Sequence, residues 1–196
     1  MKRRLLASLA ATAAVATSLL ISSAGPAAAA DSAAAPEVST ANAQSARVSP
    51  NKDLPANIQV TDTGVKIVAT LRGVGKQIYD CDGAKYVFRE PAAGLFTLRG
   101  IPAGIHGKGP FWTNFDGSRV EGKDAIQANP TPPGFTPNDV PWLKLTAVNP
   151  PQGTGGVFTN VKFIQRIDTK GGQPPASCTG GAALAVNYTA NYVFWA

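Results

Sequence analysis

From Val65 to the end of the chain, apolar side chains recur at every second position. Val65, Ile67, Ala69 and Leu71 alternate with Lys66, Val68 and Thr70, and Tyr86 and Phe88 alternate with Lys85, Val87 and Arg89. Leu143, Leu145 and Ala147 oppose Trp142, Lys144 and Thr146, while Val157, Val161, Phe163 and Ile167 oppose Asn160, Lys162 and Arg166. The last segment is the clearest: Val186, Tyr188, Ala190, Tyr192 and Phe194 share one face, and Asn187, Thr189 and Asn191 the other. A period of two belongs to strands with one buried face.

The intervening segments carry turn chemistry: Gly73-Val74-Gly75, Asp82-Gly83, Asp116-Gly117, Thr154-Gly155-Gly156 and a proline-interrupted loop from Pro130 to Pro137. No segment past the leader sustains a helical period. The pattern predicts an all-β domain of about eight to ten short antiparallel strands, with a two-sheet β-sandwich favoured and a closed β-barrel as the alternative. An outer-membrane barrel is disfavoured, because its strands need about ten residues of uninterrupted alternation.

The N-terminus reads as an address rather than as structure. Lys2, Arg3 and Arg4 precede an uncharged run from Leu5 to Ile21, and Ala24-Gly25-Pro26-Ala27-Ala28-Ala29-Ala30 supplies a small-residue cleavage site. Residues 1–30 are therefore expected to be a signal peptide, giving a secreted, extracellular protein with no membrane span after its removal. Residues 31–52 lack Phe, Tyr, Trp, Leu and Ile and are expected to form a disordered Ala/Ser/Pro-rich leader. Residues 53–196 remain as a single all-β domain.

Charge narrows the partners. The formal net charge is +6, of which Lys2, Arg3 and Arg4 supply three units, and the remaining cations are scattered. Nucleic-acid binders concentrate their cations on a stripe or arm, so no nucleic-acid partner is expected. The two cysteines, Cys81 and Cys178, should pair in an oxidising compartment as a disulfide.

The ordered features spell a family pattern. They comprise Gln77-Ile78-Tyr79-Asp80-Cys81 and Tyr86-Val87-Phe88-Arg89-Glu90-Pro91, then His106, Gly109-Pro110-x-Trp112 and Asp116-Gly117-Ser118. Val140-Pro141-Trp142-Leu143, Ile164-Gln165-Arg166, Gly171-Gly172 up to Cys178, and the terminal Tyr188 to Trp195 strand follow. Together they resemble a family of secreted bacterial and fungal proteins, domain-of-unknown-function family 3455. The resemblance runs from about Val65 to the C-terminus and implies export and one all-β domain with paired cysteines. It carries no established activity.

Chemistry-bearing residues concentrate in Ile105–Ser118, which holds the only histidine. His106, Lys108, Trp112 and Asp116 are the candidate ligand-binding set, with Trp112 in its Gly/Pro-rich setting as the candidate exposed aromatic. His106 with Asp116 or Glu121 is the candidate catalytic set, and Ser118 a conceivable nucleophile, although no G-x-S-x-G elbow is present. Asp80 and Asp82 are weak metal candidates, since one histidine and no D-x-D-x-D ladder make a poor donor set. Gly104 to Gly109 lacks phosphate-loop spacing and no dinucleotide fingerprint is found, so no cofactor is expected. The expected function is a non-enzymatic binding or cell-surface interaction module, with a cell-wall glycan as one class of ligand. A small extracellular hydrolase is the alternative.

Overall fold

A computed structural model describes residues 47–150 and 155–196, so the expected signal peptide and most of the leader lie outside the described residues. Eight strands form among them: β1 Ile67–Cys81, β2 Tyr86–Thr97, β3 Pro102–Gly107, β4 Phe111–Asn114, β5 Arg119–Gln127, β6 Leu143–Val148, β7 Phe163–Gly171 and β8 Leu184–Trp195. Each pairs antiparallel with the next, and β8 returns to pair with β1 from Ile67↔Trp195 to Tyr79↔Leu184. The all-β expectation holds, and the closure is that of the barrel alternative rather than the sandwich. Closure satisfies both edges of the sheet, which an open sandwich leaves exposed. No described helix is long and apolar enough to cross a membrane.

Closure requires long first and last strands, and the sequence provides them by an unexpected use of glycine. Gly73-Val74-Gly75, expected as a turn, runs through the middle of β1. Gly73 faces into the barrel, where a Cβ would stand 2.6 Å from the Tyr192 ring. The missing side chain is what lets an aromatic residue of β8 lie against β1.

The interior is filled by Leu71, Leu95, Trp112, Val120, Leu145, Ile164, Tyr188, Tyr192 and Phe194. A second apolar cluster lies on the outer face, where Leu54 and Ile58 cover Trp142, Ile167 and Val193. This strap, residues 48–60, includes single turns at Asn51–Asp53 and Ala56–Ile58 and is fastened by side chains. Gln165 Nε2 donates to Ile58 O at 2.8 Å and to Asn51 Oδ1 at 2.8 Å. Ser49 donates through N and Oγ to the Asp168 carboxylate, which also accepts from Asn191 Nδ2 at 2.9 Å. The packed residues thus extend back past Asp53 into the segment expected as leader.

The strap corrects the expected facing of β7. Ile167, expected to point into the core, lies on the outer face beneath the strap, and Arg166 points inward. Both faces of β7 are covered. The single-buried-face reading of that strand therefore assigns its side chains to the wrong sides.

Cys81 and Cys178 stand at disulfide distance, with Cα atoms 6.0 Å apart and a sequence separation of 97. They join the end of β1 to the segment before β8. The expected pairing is correct, and no free cysteine is present among the described residues.

Candidate functional site

The β1–β2, β3–β4, β5–β6 and β7–β8 connections share one end of the barrel, and a cavity of about 600 Å³ opens there. Its wall is mainly apolar, with Phe88, Pro91, Pro110, Trp112, Leu143 and Leu145 contributing. The opposite end is closed by Phe158, fully buried against Phe194 with ring centroids 4.3 Å apart. The barrel is a cup rather than a tube.

His106 sits in β3, not in a loop, and projects inward with only 4 % of its surface exposed. It is the register partner of Trp112 across the β3–β4 hairpin, and the two rings stack with centroids 4.4 Å apart and planes at 10°. Tyr192 closes a second side at 5.0 Å. Nδ1 lies 2.7 Å from Phe111 O. A carbonyl oxygen only accepts, so Nδ1 carries the proton and Nε2 presents a lone pair. Burial drives the His106 pKa down to about 3, a shift that the Phe111 hydrogen bond opposes and the Arg166 charge adds to. The imidazole is neutral in ordinary buffers.

Arg166 supplies the opposite character. It is half-buried in the cavity wall, and Nε and Nη2 both donate to Pro141 O, at 3.0 and 2.8 Å. It makes no ion pair among the described residues, unlike Arg89, which pairs with Asp80 at 2.8 Å and Glu90 at 3.3 Å. Lys108 at the rim also makes none, and Lys123 stands 3.9 Å from Asp124. Four cations therefore line the cavity against one carboxylate, Asp124. Tyr192, held well above its ordinary pKa by burial, stays a neutral phenol with its hydroxyl 3.1 Å from that of Tyr188.

The family described as "Protein of unknown function (DUF3455)" matches residues 62–196. The chain belongs to this family. The match spans all eight strands, both cysteines and every cavity-lining residue, and leaves the strap N-terminal to it. No curated protein and no solved structure matches the chain.

The DUF3455 barrel brings together three of the four expected ligand-binding residues: His106, Lys108 and Trp112 all line the cavity. Trp112 is not the exposed aromatic expected from its Gly/Pro-rich setting; it is 1 % exposed, because β4 turns it inward onto His106. Asp116 lies at the closed end. Its Oδ1 accepts from Ser118 N at 2.8 Å and Oγ at 2.6 Å, and its Oδ2 from Val157 N at 2.8 Å. Ser118 Oγ in turn receives Phe158 N at 3.1 Å. Asp116 and Ser118 thus fasten the plug that carries Phe158. Partial burial would raise the Asp116 pKa, but the Ser118 and Val157 hydrogen bonds outweigh it and hold the carboxyl below its ordinary value.

Glu121 alternates with the inward Val120 and Gly122 and stands on the outer face, where Arg119 donates to it at 2.8 and 3.1 Å. The one hydrogen bond of the His106 ring among the described residues goes to Phe111, so neither candidate carboxylate orients it. Asp80 pairs with Arg89, and Asp82 caps the β1–β2 turn by accepting from Ala84 N and Lys85 N at 2.9 and 2.8 Å. Those two backbone donors hold the Asp82 pKa below its ordinary value. No three His, Cys, Asp or Glu side chains converge among the described residues. Sequence reasoning missed Arg166, Tyr192 and Leu145 as site residues. The alternation in β8 and β6 marked the last two as inward, and nothing in the sequence marked Arg166.

Proposed function

We propose that this chain is an exported, non-enzymatic binding protein that holds a small, mainly apolar molecule in the barrel mouth, with an anionic group of that molecule on Arg166. The observation that carries the reading is the Arg166 guanidinium, half-buried in an apolar cavity with a main-chain carbonyl as partner and no ion-paired carboxylate. A cation withdrawn from water without a counter-ion is costly, and a bound carboxylate or phosphate relieves that cost by bidentate hydrogen bonding. The cavity volume of about 600 Å³ suits a small ligand. Lys108 and Lys123 at the mouth add attraction for an anion on approach.

Export rests on the Lys2–Ala30 address, and the cysteine pair suits an oxidising compartment. A glycan fits the cavity less well than an amphiphile, because sugar hydroxyls need many polar partners and the wall offers few. The hydrolase alternative needs Asp116 or Glu121 beside His106, and both side chains are engaged elsewhere.

The test is calorimetric titration and thermal stabilisation with benzoate and decanoate, using benzamide and decanol as uncharged controls. The acids should bind and raise Tm, the controls should bind at least about 10-fold more weakly, and Arg166→Gln should remove the difference. Equal binding of acids and controls, or none by either, would overturn the reading.

A further inference from the structure

Resting on the reading of Arg166 as the anion site, the geometry points to a narrower ligand class: an acid that also carries a hydroxyl or N–H donor, which His106 Nε2 accepts. The hairpin fixes the polarity of the histidine. Phe111 O, 2.7 Å from Nδ1, takes the proton-bearing nitrogen, so the nitrogen left to the cavity that His106 lines is an acceptor and not a donor. The stack on Trp112 and the contact with Tyr192 hold the ring in place, so it cannot easily turn to offer the other nitrogen.

No protein donor among the described residues reaches Nε2, and the ring's one hydrogen bond among them runs from Nδ1 to Phe111 O. The charged groups around the cavity do not change this. Arg166 on β7, Arg89 on β2, Lys108 in the β3–β4 turn and Lys123 on β5 are cations, of which Arg166 opposes protonation of the imidazole, and the lone carboxylate, Asp124, stands at the mouth beside Lys123. The resulting cup offers donors at Arg166 and an acceptor at His106. A simple carboxylate satisfies only the first and brings oxygen lone pairs toward the second when it shifts deeper. A hydroxy acid satisfies both, and a site with a buried acceptor discriminates against an analogue lacking the matching donor.

The single histidine makes the test selective, since ¹⁵N-histidine labelling reports on His106 alone. The probes are benzoate and its ortho, meta and para monohydroxy isomers, titrated into the full mature protein by calorimetry and by two-bond ¹H–¹⁵N spectra. The ring should show the Nδ1–H tautomer in the free protein. At least one hydroxy isomer should bind about 10-fold more tightly than benzoate. That isomer should shift the Nε2 resonance, whereas benzoate should leave it in place. His106→Phe should erase the preference among the isomers. The wild-type spectra keep the test decisive should that variant fail to fold. Binding of all four acids with equal affinity and no Nε2 shift overturns this inference and leaves the anion site standing. Binding of none overturns both.

Discussion

His106 lies flat on Trp112, the two rings 4.4 Å apart and 10° from parallel, inside a barrel rather than on its surface. The stack is a local product of the β3–β4 hairpin, which pairs the two residues directly in register. It has a consequence for stability. The folded pKa of His106 is depressed by burial from 6.5 to about 3, so the unfolded chain binds the proton more readily. Stability from this group is fully present above pH 6.5 and is lost as pH falls toward 3. The slope approaches about 1.4 kcal/mol per pH unit within that window. Urea midpoints between pH 7 and pH 4 should fall accordingly in the wild type and should stay nearly flat in His106→Gln down to about pH 5, below which the depressed Asp82 and Asp116 carboxyls begin to contribute. An equal slope in the two proteins would show that the imidazole is not the group responsible.

Asp116 is predicted to matter for the plug and not for chemistry. Asp116→Ala removes the acceptor of Val157 N and of the Ser118 hydroxyl, which then no longer steadies Phe158 N. The expected loss is about 1–3 kcal/mol, with faster amide exchange at Val157 and Phe158. Ligand affinity at the opposite mouth should be unchanged. A loss of affinity without a change in exchange would place Asp116 in the binding machinery instead.

These assignments separate what the sequence displays from what it hides. The period of two in β6 and β8 reports side-chain direction faithfully: Leu143, Leu145 and Ala147 belong to the interior packing, as do Tyr188, Ala190, Tyr192 and Phe194. Sandwich and barrel differ here in whether β1 pairs with β8, and alternation within each strand is the same in both. Arg166 was hidden for another reason. Polarity places an arginine on the wet face, and that inference fails where a distant segment dries the outer face and the interior keeps an open cavity at the barrel mouth. His106 was misplaced because Gly107-Lys108-Gly109-Pro110 looks like open loop, whereas it is the tight connection of a hairpin whose strands begin on either side.

The cysteine pair should hold the cavity end together. It links Cys81 to Cys178 across 97 positions, and loop-closure entropy for a loop of that size is worth about 4.7 kcal/mol. Cys81→Ser/Cys178→Ser should therefore lower the urea midpoint by an amount corresponding to several kcal/mol, and reduction of the wild type should do the same. An unchanged midpoint on complete reduction would remove the disulfide from the account of stability.

The strap provides the sharpest contrast with sequence expectation. Ile58 is fully buried outside the barrel, where it covers Ile167 and Val193 and its carbonyl accepts from Gln165. A linker residue truncated to alanine has little effect, whereas a buried isoleucine loses about 2–5 kcal/mol. Ile58→Ala should therefore destabilise the domain about as much as Ile164→Ala does in the interior, and Asp168→Ala should add to it by releasing Ser49 and Asn191. Removing residues 1–61, which leaves the span the family matches, should bare Trp142, Ile167 and Val193 together. Such a contiguous apolar face promotes association, so the shortened protein should bind a hydrophobic dye and self-associate at concentrations where a chain that keeps residues 31–61 does neither. Wild-type stability and solubility in the shortened protein would mean that the barrel does not need its outer cover.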